Sequence, residues 1–440
     1  MIGLLAFCAA AAVATAAPRK STKIVPREAL PALIPAPQRV EVTGPYRMPL
    51  LNVKVRIDST LDLPAEGYVL ETYKKGVRIT ARDEQGAVWA RQTLRQLTDA
   101  RGLVPSVRIV DWPAFGWRGF MHDTGRNFIP VDTLKRHLDL LSRYKINLFH
   151  WHLTDYPAWR IESRAFPRLN DPVYQRPGRD VGKFYTYGEI RDVIAYARRR
   201  GIRVVPEIDM PGHSAYFNSA FGFGMADPRG MRVLERALNE FFEEIPVEDA
   251  PWVHIGSDEV HIPNPTEFMR WADSVVRAAG RVPMVWDPGL TPASTGTIRQ
   301  VWSEAPGYVA DQTAGRGPFV DSYMGYLNNY DPISFTPRML LHAPCGRAQG
   351  DSVALGGILC LWNDTKAPDQ LGIVRNSSLW SGLLPFTERL WHGGAVPEGA
   401  PVNPNLFPDP DSPAGEALTE FEGRMEAHKR GILAGEPFCW

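Results

Sequence analysis

The sequence lacks several features that would point to particular classes of protein. Its charge has no excess of either sign, with 49 Lys and Arg residues against 49 Asp and Glu residues among 440, so nothing favours nucleic acid or an anionic membrane surface as a partner. It has only four cysteines and no Cys-x-x-Cys pair, the usual signature of a zinc or redox site. Beyond residues 1–17 no apolar run is long enough to span a bilayer, and there are no repeats.

The N-terminus has the pattern of an export signal. Residues 1–17 are apolar and rich in alanine, Ala14-Thr15-Ala16 has the small-x-small pattern of a signal peptidase site, and Pro18-Arg19-Lys20 follows. We therefore expect a signal peptide over 1–17 that is removed, and an exported protein, periplasmic or secreted. Cys8 belongs to this segment. Among the remaining cysteines, Cys345 and Cys360 either form a disulfide or stay as buried thiols.

Hydropathy patterns divide the rest of the chain into a small region and a large one. After a lead-in over 18–32, residues 33–113 contain four strand-like runs and one amphipathic helix, which predicts a small α+β domain. Residues 114–400 alternate strand and helix signals, which predicts a (β/α)8 TIM barrel, and 401–440 form a C-terminal extension. The predicted barrel strands are 120–122, 146–149, 202–205, 252–255, 282–286, 298–302, 319–323 and 358–362.

Polar and aromatic residues follow every one of the eight predicted barrel strands. Because the active site of such a barrel lies at the C-terminal ends of its strands, these residues would meet at one mouth. Chance would place them at one or two strand ends, so the full set indicates a catalytic cleft. In chain order they are His122-Asp123 with Arg126, His150 to Asp155, Glu207 to His213, Asp258-Glu259, Trp286-Asp287, Trp302 to Glu304, Tyr323 to Tyr326 and Trp362 to Asp364.

One stretch, residues 253–260, places two adjacent acids at the end of an apolar strand. Asp258 and Glu259 follow the pair Gly256-Ser257, where the strand should open into a loop. Neighbouring side chains of an extended segment point in opposite directions, so we expect the two acids to reach different atoms of one substrate. Two carboxylates at a strand end, with tryptophans downstream, suit acid–base chemistry on a sugar. An isolated Asp-Glu pair could instead be two solvated surface residues with no catalytic role.

In combination these motifs resemble one family. The chain is similar to the glycoside hydrolase family 20 β-N-acetylhexosaminidases, in which a small α+β domain precedes a catalytic (β/α)8 barrel. The similarity covers residues 33–392 in order, and its most specific motifs are Phe-His-Trp-His-Leu-Thr-Asp over 149–155 and His-x-Gly-x-Asp-Glu over 254–259. The other matching stretches are Arg118-Gly119, Asp123 to Phe128, Trp159 to Glu162, Pro206 to His213, Trp286, Trp302, Trp362 and Glu388 to Trp391.

The resemblance implies a retaining mechanism in which the substrate supplies the nucleophile. The oxygen of the sugar's 2-acetamido group would attack C1 and form an oxazolinium ion. Glu259 would act as general acid and then as general base, while Asp258 would hold the acetamido N–H and stabilise the positive charge. No metal or cofactor is implied. The partners would be glycans that carry N-acetylhexosamine, and the oligomeric state is left open.

The resemblance also assigns a binding role to the remaining site residues. His150 and His152 would support the pocket without touching the substrate. The structural alternatives are core packing for the tryptophans, an ion pair for Arg126, and a core or capping role for His213. The implied binding residues are Arg126 for O3 and O4, Asp155 and His213 for the pocket lining and for orienting the acid, Tyr326 for the acetamido oxygen, Trp286, Trp302 and Trp362 for the acetamido pocket walls, and Asp364 for O4 and O6.

Three departures from the family pattern affect the sugar preference rather than the acid pair. The family usually has an acid two residues after the pocket tyrosine, where this chain has Asn328. It usually has Trp-x-Glu after the eighth strand, where this chain has Asp364, which is shorter by one methylene. The loop over 156–158 reads Tyr-Pro-Ala, where the family often has a more polar run. The choice between glucosamine-type and galactosamine-type sugars is therefore open.

Two other functions stay in view. A metal-dependent TIM-barrel hydrolase would use His150 and His152, which share one face of a strand, together with His213, His254 and Asp258. A non-catalytic sugar-binding barrel would be expected to have lost the acid, yet Glu259 is present. The order of the motifs favours the sugar hydrolase over both.

Overall fold

The structure is a computed structural model that describes residues 30–50, 52–74, 76–303, 315–328, 332–364 and 379–436. The predicted signal peptide and most of the lead-in lie outside these residues, as do Glu304 and Cys439. Within the described part of the chain, no helix combines the length and the apolar character needed to cross a bilayer.

The first domain is a five-stranded sheet covered by one helix. Helix α1 (Glu84–Leu97) begins where the side chain of Asp83 accepts a hydrogen bond from the Gly86 N–H, and it packs Trp89 and Leu94 into the core of this domain. The helix and four of the strands lie where the sequence predicts them. The strands, in the sheet order β1-β5-β3-β4-β2, are β1 (Arg39–Pro49), β2 (Val53–Ile57), β3 (Tyr68–Tyr73), β4 (Gly76–Ala81) and β5 (Leu103–Asp111).

Strand β1 is absent from the sequence prediction. It contains Gly44 and Pro45, which are typical of turns, and its pairing with β5 shifts register between Val42 and Arg47. Because β1 lies at the edge of the sheet, proline and a bulge are tolerated there. The hydrophobic alternation that identifies the other strands is therefore interrupted in this one.

Eight parallel strands close into a barrel, so the predicted TIM-barrel fold is confirmed. Side chains that include Met121, Val205, Met284 and Ile358 fill its interior, so the barrel is a packed core rather than a channel. A short hairpin, β8 (Thr154–Asp155) and β9 (Ala158–Trp159), follows the second barrel strand. The barrel strands are β6 (Trp117–Asp123), β7 (Leu148–His152), β10 (Arg203–Glu207), β11 (Trp252–His254), β12 (Val282–Asp287), β13 (Ile298–Val301), β14 (Phe319–Asp321) and β15 (Ala354–Leu361).

The helices around the barrel include four that the sequence predicts by their apolar spacing, α2, α3, α5 and α6. The apolar spacing does not predict helices α7 and α8, because each contains an internal proline, Pro337 in α7 and Pro385 in α8. Helix α8 is also buried along nearly its whole length, so it has no polar face to produce the pattern. The helices are α2 (Val131–Arg143), α3 (Tyr187–Arg198), α4 (Ala215–Phe221), α5 (Pro228–Glu244), α6 (Pro265–Ala278), α7 (Pro332–Leu340), α8 (Leu379–His392) and α9 (Pro413–Arg430).

The C-terminal helix α9 packs onto the barrel. Its Phe421 and Met425 belong to the main hydrophobic core, and Arg424 forms an ion pair with the buried Glu388 of α8 at 2.9 Å. Arg424 also donates to the backbone oxygen of Leu33. Residues on both sides of position 400 thus share one core, while the predicted domain boundaries themselves stay predictions.

Cys345 and Cys360 are both buried free thiols. Cys360 lies among the side chains that fill the barrel, and the Cys345 thiol donates to the Gly356 oxygen at 3.2 Å. Of the two possibilities left by the sequence, buried thiols are the outcome.

Candidate active site

The predicted binding residues lie together at the C-terminal ends of the barrel strands, with Trp362 at their centre. The guanidinium carbon of Arg126 lies 5.0 Å from the ring centroid of Trp362. The rings of Trp286 and Tyr326 lie 5.5 and 5.7 Å from Trp362. Trp302 is stacked on Tyr326, with the ring centroids 6.1 Å apart and the planes at 11°. Four aromatic side chains from four strand ends therefore wall one pocket beside an arginine.

The loop that carries the two acids is not extended, so that part of the sequence interpretation is wrong. Strand β11 ends at His254, and φ is 64° at Gly256, 88° at Ser257 and 48° at Glu259. Left-handed residues turn the chain instead of alternating the side chains. The two acids still have different surroundings, since the side chain of Asp258 is 9% exposed and that of Glu259 is 59% exposed.

Asp258 is a buried carboxyl in a negative environment. Burial and the charge of Asp209 raise the pKa of Asp258 well above its ordinary value, against the opposing charge of His213. Its Oδ1 is buried and accepts no hydrogen bond from the described residues. Burial together with the Asp258 and Cys360 side chains raises the pKa of Tyr326, so Asp258 and the aromatic pocket are electrostatically coupled.

His213 connects the acid Glu259 to a second buried carboxylate. Its Nδ1 donates to Asp209 Oδ2 at 2.7 Å, and its Nε2 faces Glu259 Oε2 at 3.2 Å. Burial lowers the pKa of His213, but the hydrogen bond and charge of Asp209, with Asp155 and Asp258, outweigh burial and raise it to about 10. The ring is therefore an imidazolium at neutral pH. The sequence interpretation assigned no role to Asp209, although its spacing four residues before His213 was a usable signal.

Arg126 is held by three carboxylates around its guanidinium. Its nitrogens lie 3.1 Å from Asp123, 3.2 Å from Asp155 and 3.6 Å from Asp364. Burial lowers the pKa of Arg126, but these charges outweigh burial and raise it above its usual range. The side chain is 19% exposed, so part of it faces the pocket. An ion-pair role and a substrate role are thus compatible at this residue.

Asp155 contacts Arg126 rather than Glu259. Its Oδ2 lies 2.7 Å from His152 Nε2 and 3.2 Å from the Arg126 guanidinium, and its Oδ1 accepts from the Tyr156 N–H. Burial raises the pKa of Asp155, but His152 and Arg126 outweigh burial and lower it below the ordinary value. Asp155 influences Glu259 only indirectly, because its charge helps to keep His213 protonated and His213 faces Glu259. The role of Asp155 in orienting the acid stays a prediction.

Two of the departures from the family pattern contact each other. The Asn328 amide donates to Asp364 Oδ2 at 2.6 Å, while Arg126 approaches the other carboxylate oxygen of Asp364. Arg179, which the sequence interpretation missed, donates to the backbone oxygens of Asn363 and Asp364. The shorter acid is therefore held in place by a neighbouring amide and by a backbone clamp.

Three histidines surround Glu207 beneath the pocket. His150, His152 and His254 are buried without exposure, and both His150 and His152 lie within hydrogen-bonding distance of Glu207. In the described residues, the metal-ligand atoms that lie close enough to share one ion fall into separate groups: His150, Glu207 and His254; Asp123, His152 and Asp155; Asp155, Asp209 and His213. These groups differ from the single five-residue set of the metal-hydrolase alternative.

Comparison with known proteins identifies the family. A family model described as the glycosyl hydrolase family 20 catalytic domain matches residues 115–230, and a model of domain 2 of the same family matches residues 47–112. The chain belongs to glycoside hydrolase family 20. The two matched regions contain the first three barrel strands, β6, β7 and β10, and most of the five-stranded domain.

Several curated family 20 proteins are similar to part of the chain. A β-hexosaminidase of Porphyromonas gingivalis is 37% identical over 238 residues, which is 47% of this chain and 31% of that protein. A β-N-acetylhexosaminidase of Cellulomonas fimi is 34% identical over 60% of this chain and 58% of its own length. The chain thus spans between about a third and three fifths of the length of these relatives.

Solved family 20 structures have the same fold. An exo-β-N-acetylglucosaminidase of Vibrio harveyi superposes with a TM-score of 0.75 and 22% identity, covering 92% of this chain and 78% of that chain. A mutant β-hexosaminidase of Streptomyces plicatus, in complex with GlcNAc, superposes with a TM-score of 0.71 and 23% identity, covering 93% of this chain and 96% of that chain. At these identities the likeness supports the fold of this family 20 chain.

Proposed function

We propose that this family 20 chain is a retaining exo-β-N-acetylhexosaminidase that removes terminal N-acetylglucosamine or N-acetylgalactosamine from glycans by substrate-assisted catalysis. The observation that carries the proposal is the pairing of a buried Asp258 with an exposed Glu259 beside a tryptophan-walled pocket. The relatives named above are β-hexosaminidases, which supports the same reaction class. Export of the protein is proposed on the N-terminal sequence alone.

The two acids would divide the chemistry between them. Glu259, which is open to solvent and beside the imidazolium of His213, would protonate the leaving oxygen and later activate water. The acetamido oxygen would attack C1, because an intramolecular nucleophile reaches an effective molarity of roughly 10⁵ M or more. Asp258 Oδ1 would accept the acetamido N–H. The positive charge that develops on this group favours the ionised form of Asp258, whose burial raises its pKa.

The binding residues would fix the sugar at both ends. Trp286, Trp302 and Tyr326 would enclose the acetamido group, and Trp362 would lie under the ring. Arg126 and Asp364 would bind the hydroxyls at the other end, with Asn328 setting the position of the Asp364 carboxylate. The preference between the two sugars would depend on this last pair, because the sugars differ in configuration at C4, the carbon that carries O4.

Hydrolysis of aryl β-N-acetylglucosaminide and β-N-acetylgalactosaminide, each beside its 2-hydroxy analogue, tests the proposal. We expect cleavage of the acetamido substrates only, and a fall in kcat/KM of about 10²–10⁴ in Glu259→Gln. Glu243→Gln, which changes a surface acid 64% exposed, is the matched control and should be silent. Similar rates on the 2-hydroxy sugars would refute substrate assistance, and loss of activity in EDTA would favour the metal-dependent alternative.

A further inference from the structure

Glu207, at the end of strand β10, is a buried carboxylate that the proposed mechanism does not use. It has no exposed surface and lies beneath the pocket. Its oxygens accept from the Trp286 indole N–H at 2.7 Å, from His150 Nε2 at 2.7 Å and from His152 Nδ1 at 2.5 Å. A carboxylate is an acceptor only, so three N–H donors from two other strands converge on one residue.

The contact with Trp286 fixes one wall of the acetamido pocket. Trp286 is 1% exposed, and its ring packs against His254 at 4.9 Å and against Trp362 at 5.5 Å. Packing alone restrains where the ring lies, whereas the N–H···O bond to Glu207 also fixes how the indole is turned within that space. A charge-assisted bond in a dry site is strong and directional.

The contact with His152 leads to the other end of the pocket. His152 Nδ1 faces Glu207 and its Nε2 faces Asp155 Oδ2 at 2.7 Å. Burial lowers the pKa of His152, but the two carboxylates outweigh burial and raise it well above its usual range, so the ring donates from both nitrogens. Asp155 in turn binds Arg126 at 3.2 Å. One buried acid is thus linked both to the acetamido wall and to the arginine.

We propose that Glu207 is a positioning residue of the glycosidase: it sets the Trp286 wall directly and the Arg126 guanidinium through His152 and Asp155. The inference rests on the proposed function. Replacing the carboxylate by the amide of Glu207→Gln removes one acceptor and turns an N–H donor toward donors that already point inward. With the amide in place, either the Trp286 N–H loses its acceptor or His152 loses the carboxylate that favours its charged form.

The size of the N-acyl group reports on the Trp286 wall. A well-formed apolar pocket discriminates against one extra methylene by about 10–200-fold. We expect the ratio of kcat/KM for an aryl N-acetylglucosaminide over its N-propionyl analogue to fall at least about fivefold in Glu207→Gln, with a loss of about 10–100-fold on the acetyl substrate. A variant that merely lowers the folded fraction reduces both rates equally and leaves the ratio unchanged.

The matched control is Asp321→Asn, a carboxylate 1% exposed at the end of strand β14 that binds His342 and the Cys345 N–H instead of the pocket. It should lose stability and keep the acyl ratio. Trp286→Phe, which keeps an aromatic ring but removes the N–H, covers the case in which Glu207→Gln does not fold. The variant should lower the same ratio, and where both fold the double variant should add little to either single change.

The outcomes separate the two proposals. If the wild-type enzyme is active and the acyl ratio is unchanged in Glu207→Gln, the positioning role alone is overturned. Where Glu207→Gln does not fold, an unchanged ratio in Trp286→Phe has the same meaning. Additive effects of the two changes overturn it as well. A wild-type enzyme that cleaves neither acetamido substrate overturns the proposed function and the inference with it.

Discussion

Replacing Gly256 with alanine would push a methyl group into the carboxylate that holds His213. Gly256 has φ of 64° and lies two residues before Asp258. An alanine Cβ at this position would lie 1.7 Å from Asp209 Oδ1, 2.6 Å from its Cγ and 2.9 Å from its Cα. Because Asp209 is 1% exposed, the displaced carboxylate has no solvent to move into. The change therefore acts on the acid-bearing loop and on its support together.

The cost has two parts that can be added. Non-bonded carbon atoms need about 3.5 Å, so the Asp209 carboxyl must withdraw by more than an ångström, which breaks its 2.7 Å bond to His213. Losing a hydrogen bond between charged groups costs about 1.5–3 kcal/mol, and a left-handed alanine costs about 1–2 kcal/mol more. We expect a loss of roughly 2.5–5 kcal/mol in stability and, since His213 contacts Glu259, a loss of about 100-fold in kcat/KM.

Thermal unfolding and aryl N-acetylglucosaminide hydrolysis measure the two effects. Gly102→Ala is the matched control, because Gly102 has φ of 73° and no atom within 4 Å of a built Cβ. The control carries the backbone strain without the clash, so it should melt only slightly lower and keep full activity. If Gly256→Ala melts with the control and hydrolyses substrate at the wild-type rate, Asp209 does not support the acid through His213.

Two further changes test other parts of the structure. His122 is wholly buried, and neither of its ring nitrogens is hydrogen-bonded to a described residue. Burial lowers the pKa of His122 well below 6.5. As the pH falls, the unfolded chain therefore takes up a proton at His122 before the folded chain does, and the free energy of unfolding declines below about pH 6.5. His122→Leu should remove the part of this decline that is due to His122, about 2 kcal/mol between pH 6.5 and 5, whereas the exposed His261→Leu should not. An unchanged acid melting curve would contradict this. Asp364→Glu should change the ratio of glucosaminide to galactosaminide hydrolysis, and an unchanged ratio would show that Asp364 does not contact O4.

The barrel could be predicted because most of its strands are short, largely apolar runs, and because polar or aromatic residues follow each of them. The signal survives even in β11, where only Trp252–His254 pair as a strand. Elements whose sequence contains helix or strand breakers were lost: β1 with Gly44 and Pro45, and α7 with Pro337. In these places tertiary burial overrides local propensity, and a pattern taken one segment at a time has no access to it.

The sequence could predict which residues meet at the candidate site, but not which of them form hydrogen bonds with each other. Strand ends show which residues meet, because all parallel strands present their C-terminal ends at one mouth. They do not show that Glu207 binds His150 and His152, because those bonds join two different strands at distances set by register. The predicted conformation of the loop that carries the two acids was wrong for another reason. Ser257 and Glu259 have positive φ, which residues of these types seldom adopt.

Strand β10 explains why the site is arranged in two halves. Glu207 is the last residue of the strand, and Asp209 follows it by two residues in the connecting loop. From Glu207 the charges alternate through His152 and Asp155 to Arg126, whereas from Asp209 they alternate through His213 to Glu259. The first series ends on a fixed cation, suited to holding neutral hydroxyls. The second ends on the solvent-exposed Glu259, and under the proposed mechanism proton transfer would take place in that half.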